Sequence, residues 1–313
     1  MTDSEAPVPV RFATESIQGR RDYQEDAALA TTLSGGRKLL AVADGMGGHA
    51  AGEVASALTL KRLSQELEEG TPLAEAVRQA NREVRAQALE PGKKGMGTTL
   101  VALVVDGPSF VVANVGDSRA YLWKGGRLSQ VSQDHSFVAE AMARGQSEEE
   151  AMASRWRDAL TRSIGASEEV EVDLFGPFPV EDGSAVLLCS DGMYKTLSSG
   201  DVERILRGSS GGESAVRALS SEALTRGSDD NITVALAEFG QVRWSQPVGT
   251  MPLEWPEGGP PQESEAGGRG EGAEASPAGG DPAGDAADGF IRWIALFLAV
   301  AMLVMLALAV TGG

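Results

Sequence analysis

Acidic residues stand where apolar runs stop or start. Asp44 closes Leu39–Ala43, Asp117 follows Phe110–Val115, and Asp191 follows Val186–Cys189. Asp230 lies in Asp229-Asp230-Asn231, just before Ile232–Glu238, and Glu25-Asp26 precedes the apolar stretch Ala27–Leu33. Short apolar runs of this kind read as buried strands, so the carboxylates fall at strand ends. If the strands pair, the carboxylates converge at one rim. Like charges gathered there repel one another and are tolerable only beside cations. An all-oxygen donor set selects Mg²⁺ or Mn²⁺ over zinc or copper. Taken singly, each Asp reads more readily as an ordinary turn or cap residue. The recurrence carries the signal.

The densest of these places is Asp44-Gly45-Met46-Gly47-Gly48. Glycines there allow the close approach of backbone to a ligand that side chains would block. The same residues read more plainly as a strand-to-helix loop with Asp44 as its cap. A phosphate loop is a poor third reading, because the glycines are not followed by the required Gly-Lys-Ser/Thr.

The elements that must position these residues follow from periodicity. Val10–Ser16 and Ala27–Leu33 read as strands, and Ser34-Gly35-Gly36 turns the second into the strand that ends at Asp44. Helical spacing of Val54, Ala57, Leu58, Leu60, Leu63 and Leu67 predicts a helix from about His49 to Leu67. Gly70-Thr71-Pro72 breaks it and starts another through about Leu89. Strands are predicted at Thr98–Val105, Ser109–Val115, Arg119–Trp123, Val170–Phe175, Ser184–Cys189 and Ile232–Glu238, with helices near Ser199–Arg207 and Glu213–Arg226. Residues 135–160 read as helical and polar, a lid or small subdomain. Short turns imply antiparallel pairing. The expected fold is therefore α+β: a four-layer α-β-β-α sandwich of two antiparallel sheets flanked by helix pairs.

Composition narrows the partners. A formal net charge of −18 and no basic cluster exclude nucleic acid as a general partner. The one cysteine, Cys189, sits in an apolar run, which excludes thiolate metal sites and an internal disulfide and fits a reducing compartment. Residues 1–9 lack an apolar core segment, so no signal peptide is expected there. Three segments follow: a catalytic-type domain at 1–240, a linker at 241–289 and a membrane segment at 290–313. The linker holds seven of the fourteen prolines and nine acidic against two basic residues, and is expected to be disordered. The run 293–310 carries no charge and would form a helix of about 27 Å, near the hydrocarbon thickness of a bilayer. Arg292 before it places the N-terminal bulk in the cytoplasm by the positive-inside tendency, giving a single-pass cell-membrane protein.

Six elements occur in an order that resembles the metal-dependent protein serine/threonine phosphatases of type 2C, bacterial branch. They are Ser16-x-x-Gly19-x-Arg21-x-x-Gln24-Glu25-Asp26, Asp44-Gly45-Met46-Gly47-Gly48, Gly97-Thr98-Thr99, Asn114-Val115-Gly116-Asp117-Ser118-Arg119, Ser190-Asp191-Gly192 and Asp230-Asn231-Ile232-Thr233. The match runs from residue 10 to 239. It implies two Mn²⁺ or Mg²⁺ ions bridged by Asp44, with the Gly45 carbonyl and Glu25 serving one and Asp191 and Asp230 the other. Asp26 would act behind these ligands through water, and Asp117 with Asp191 would hold a possible third ion. Arg21 would grip the phosphate, since a guanidinium pairs with two oxygens at once. The family attacks phosphoserine and phosphothreonine in proteins with a water activated between the two ions, opposing protein kinases. The leaving alkoxide needs a proton. His49 is the candidate acid, although Met46 stands where the eukaryotic branch carries its histidine, and a water on the metal is the competing donor. The opposing reading is a catalytically silent relative that binds phosphoproteins. Every expected ligand position here carries its carboxylate, which speaks against it.

Overall fold

Strand direction decides where the acidic residues go. In the computed structural model, which describes residues 7–47, 50–93 and 95–245, the strands are β1 (Val10–Ile17), β2 (Ala27–Thr32), β3 (Lys38–Ala43), β4 (Gly45–Met46), β5 (Gly97–Thr98), β6 (Leu100–Asp106), β7 (Ser109–Val115), β8 (Arg119–Lys124), β9 (Arg127–Gln130), β10 (Asp173–Pro179), β11 (Ala185–Cys189) and β12 (Ile232–Phe239). The helices are α1 (Ala50–Glu68), α2 (Leu73–Ala88), α3 (Phe137–Ala143), α4 (Glu148–Met152), α5 (Asp191–Tyr194), α6 (Ser199–Arg207) and α7 (Gly212–Thr225). One sheet has the order β1-β12-β11-β8-β9 and the other β10-β7-β6-β3-β2, with β4 and β5 paired beside them. All the pairings are antiparallel.

Register shows the consequence. Ala43 pairs with Ala27, Val115 with Leu100, and Cys189 with both Arg119 and Val234. Thus β3, β7 and β11 end at the rim where β2, β8 and β12 begin. The residues just outside those ends are the carboxylates.

Three buried layers hold the sandwich. Along β3, Leu39, Ala41 and Ala43 pack under α1 and α2, whereas Leu40 and Val42 face the other sheet. Along β12, Ile232, Val234 and Leu236 pack under α6 and α7, whereas Ala235, Ala237 and Phe239 face inward. Alternate residues of a strand point to opposite faces, and here both faces are covered. That is why these antiparallel strands read as unbroken apolar runs, a pattern usual for parallel sheets.

The expected elements appear with small shifts. The segment expected to be helical over 135–160 forms only α3 and α4, each started by a serine cap; Ser147 and Glu150 make a reciprocal capping box. The strand expected at Val170–Phe175 lies at Asp173–Pro179, and β9 returns along β8 from the hairpin turn that Gly125-Gly126 signals in the sequence. Packing continues past residue 240, where Trp244 stacks on Trp123 with ring centroids 6.1 Å apart. Among the described residues, no helix is long and apolar enough to cross a membrane. The run 293–310 and most of the linker lie outside them.

Candidate metal centre

A cavity of about 840 Å³ opens at the shared rim, lined by Arg21, Glu25, Asp44, Gly45, Asp117, Asp191 and Asp230. Seven of the sequence-predicted site residues are therefore in one place. Asp26 lies behind them, buried, and accepts a hydrogen bond from Ser190 Oγ at 2.7 Å. His49 falls outside the described residues.

Hydrogen bonds to the backbone fix the segments that carry Asp44 and Glu25. The Asp44 amide donates to Thr99 Oγ1 at 3.0 Å, and its carbonyl accepts from Thr98 Oγ1 at 2.8 Å and from the Thr99 amide at 2.9 Å. Asn231 does the same for the loop that carries Arg21 and Glu25: its Oδ1 accepts from the Glu25 amide, and its Nδ2 donates to the carbonyls of Gln18 and Tyr23. Ser16 and Thr233 share a 2.8 Å hydroxyl bond across β1 and β12, and Gln24 donates to Ser16. Many of the motif residues are thus scaffold, and the carboxylates are what they hold.

The glycines act differently from the expectation. A Cβ on Gly45 would collide with the backbone of Gly52 and Glu25, and one on Gly52 would strike the Glu25 carboxylate. Their absence of side chain makes room for protein, so that Glu25 can reach the rim.

Charge is the site's defining property. Burial first, then the carboxylates of Asp26, Asp191, Asp117 and Asp230, push Asp44 well above the usual carboxylate range. The same causes take Asp26 to about 7 and Asp117 to about 6, and raise Asp230. Two cations answer this field from within the chain. Arg21 Nη2 lies 2.6 Å from Asp230 Oδ2, with Nε donating to the Asp229 carbonyl, and Lys195 Nζ lies 2.6 Å from Asp191 Oδ2. Cys189 is buried and its thiol is pushed up by that burial, so it offers no nucleophile.

These features coincide with a family match over most of the chain: the family profile described as protein phosphatase 2C covers residues 16–226. The chain belongs to the protein phosphatase 2C family. It is accordingly a metal-dependent hydrolase of the protein serine/threonine phosphatase type, and members of the family use Mn²⁺ or Mg²⁺. A Listeria welshimeri relative named serine/threonine phosphatase stp is 36% identical over 230 residues, 70% of this chain and 91% of its own length. Mycobacterium tuberculosis PstP, named a serine/threonine protein phosphatase, is 37% identical over 78% of this chain, which spans 47% of PstP. Among solved structures, the S. agalactiae serine/threonine phosphatase gives a TM-score of 0.69 at 31% identity, over 74% of this chain and 100% of that one. The PstP catalytic domain in complex with two manganese ions gives 0.62 at 33% identity, over 74% and 99%.

Do the residues of this protein phosphatase 2C chain fit such ions? Asp191 Oδ1 is buried and has no hydrogen-bond partner, an acceptor that a cation would satisfy. The donors are all oxygen, as hard divalent ions require. Among the described residues no three of the acidic side chains already stand in a closed ligand geometry. Mutual repulsion, and not a preformed cage, marks the site, and the fit is good.

Sequence reasoning missed Lys195, Tyr194, Arg157 and Asp158 in or beside this cavity. The first two would have been found only by placing the four-residue helix α5 after Asp191. The other two lie in the irregular chain after α4, where periodicity gives no signal.

Proposed function

We propose that this protein hydrolyses phosphoserine and phosphothreonine in proteins, opposing serine/threonine kinases. The observation that carries the reading is the convergence of Glu25, Asp44, Asp191, Asp230 and Arg21 on one cavity at the mouth of the sandwich. Asp44, with the Gly45 carbonyl and Glu25 on one side and Asp191 and Asp230 on the other, would hold two ions, Mn²⁺ or Mg²⁺. Bound there, the ions would activate the attacking water and neutralise the phosphoryl oxygens in an in-line displacement.

The chain's own groups do the rest. Arg21 sits half-exposed at the edge and uses two of its five donors on Asp229 and Asp230, so its fork can pair with a phosphate. Asp26 orders water behind the ligands, with Ser190 setting its orientation. His49 remains the candidate proton donor to the leaving oxygen. The uncharged run 293–310 supports a single-pass membrane anchor with the catalytic unit in the cytoplasm, which would raise its concentration near membrane-bound phosphoproteins.

The test is phosphate release from a phosphothreonine peptide by metal-stripped protein, with and without Mn²⁺, beside Asp191→Ala. Release that needs Mn²⁺ and is lost in the variant is the expected result. Equal, negligible release from both folded proteins with metal supplied would replace this reading with the silent phosphoprotein binder.

A further inference from the structure

Lys195 is a cation that the two-ion reading does not use. It follows α5, one turn beyond Asp191, so the helix itself returns its ammonium to that carboxylate (i, i+4). The side chain is half-exposed, lines the same cavity as Asp44, Asp117 and Asp230, and reaches Asp191 Oδ2 at 2.6 Å. Burial works against its charge, but Asp191, then Asp117 and Asp158, hold its pKa above the ordinary lysine value. A lysine ammonium is charged at neutral pH, and the contact with Asp191 favours that form.

The two oxygens of Asp191 consequently have different surroundings. Oδ2 faces the ammonium, and Oδ1 is buried without a hydrogen-bond partner. Asp117, on the same edge, accepts from the Tyr194 hydroxyl at 3.3 Å, and the Tyr194 ring is backed by the Arg119 guanidinium 3.6 Å from its centroid. Arg119 is fixed in turn by bonds to both oxygens of Asp134. This edge is supplied with protein partners and positive charge.

We propose that Lys195 is a built-in counter-ion for the Asp117–Asp191 edge. It reserves Asp191 Oδ2, leaves Oδ1 to the ion shared with Asp44 and Asp230, and weakens the hold of any further divalent ion between Asp117 and Asp191. The inference rests on the proposed metal centre. Its logic is electrostatic: a unit positive charge a few ångströms from a divalent ion repels it even at high effective dielectric. An ion entering there must first displace the ammonium. Lys195 is thus a positioning residue that sets how many ions the site retains at a given concentration.

The experiment is calorimetric titration of the metal-free full chain with Mn²⁺, for the wild type, Lys195→Gln and Lys195→Arg, with bound Mn²⁺ counted independently by electron paramagnetic resonance. In Lys195→Gln the weakest Mn²⁺ should tighten by about tenfold or more, or one additional ion should appear, the scale of losing one nearby charge at high effective dielectric. Lys195→Arg should titrate like the wild type, and adding Asp117→Asn to Lys195→Gln should abolish the gain. Lys195→Met replaces the Gln variant if that chain does not fold. Indistinguishable stoichiometry and affinity in wild type and neutral variant overturn the role of Lys195 and leave the metal centre standing. Failure of folded wild type and variant alike to bind Mn²⁺ overturns both.

Discussion

Two polar clusters lie within the same fold and have opposite electrical characters. At the rim, burial and then neighbouring carboxylates, Asp191 among them, raise the pKa of Asp26, Asp44, Asp117 and Asp230. Behind the Asp117 loop, His135, Arg162 and Asp173 compensate one another. His135 Nδ1 accepts from the Gly116 amide at 3.0 Å, and its Nε2 lies 3.1 Å from Asp173 Oδ2 and 2.9 Å from Arg162 Nη1. Arg162 Nη1 holds the other Asp173 oxygen at 2.6 Å. Burial pushes the Asp173 carboxyl up, but these bonds from His135 and Arg162 hold it below its usual value. One cluster is complete within the chain and ties the segment after α4 to the Gly116 turn. The other is complete only with external cations. A buried polar cluster whose charges cancel belongs to the architecture; one whose charges add belongs to the chemistry.

Substitution should separate the two. Asp44→Asn is expected to lower Mn²⁺-dependent turnover of a phosphothreonine peptide by about 10²–10³-fold, the scale of losing one preorganised electrostatic group. Asp173→Asn should cost far less in turnover per folded molecule, and equal losses would erase the distinction.

Stability in the absence of metal should move in opposite directions. Asp173→Asn breaks charge-assisted hydrogen bonds and should destabilise by about 1.5–3 kcal/mol. Asp44→Asn removes the cost of keeping a carboxyl buried, and so protonated, among like charges and should stabilise the metal-free protein, by an increment that Mn²⁺ reverses in favour of the wild type. Urea melts in EDTA and in Mn²⁺ read both signs, and destabilisation of the metal-free protein by Asp44→Asn would contradict the like-charge account.

The pH dependence separates the clusters by sign. Between about pH 4 and 7 the unfolded chain has released the protons of Asp26 and Asp44, whereas the metal-free native chain retains them. The native state binds more protons in that window, so metal-free stability should fall as pH rises, with a limiting slope of about 1.4 kcal/mol per pH unit per proton. Asp173 has the opposite sign: its contribution is present above the ordinary carboxylate range and is lost as pH falls through its depressed native value. Melts of the wild type and Asp173→Asn at pH 3 and 7.5 should therefore converge at the acid end.

The sequence displayed the first cluster and concealed the second, for physical reasons. Each rim carboxylate follows or precedes an apolar run, so strand ends announce it, and the covered faces of β3 and β12 made those runs continuous. His135 and Arg162 sit in irregular chain and Asp173 opens β10, and their sequence separations of 27 and 38 residues carry no period. Lys195 was hidden because a four-residue helix leaves no amphipathic pattern. Ser199–Arg207 was placed correctly because nine residues with a Ser-Asp cap do leave one.

The division of the proposed ligands between the sheets has a mechanical consequence. Glu25 and Asp44 leave the ends of β2 and β3 in one sheet, and Asp191 and Asp230 leave β11 and β12 in the other. No single sheet owns a complete set. The ions would act as a clasp across the mouth of the sandwich, and any sliding of one sheet on the other would alter ligand spacing directly. Turnover in this protein would then serve as a gauge of sheet-to-sheet alignment, responding to hydrostatic pressure or to layer-directed mutations far from the cavity before any strand unfolds.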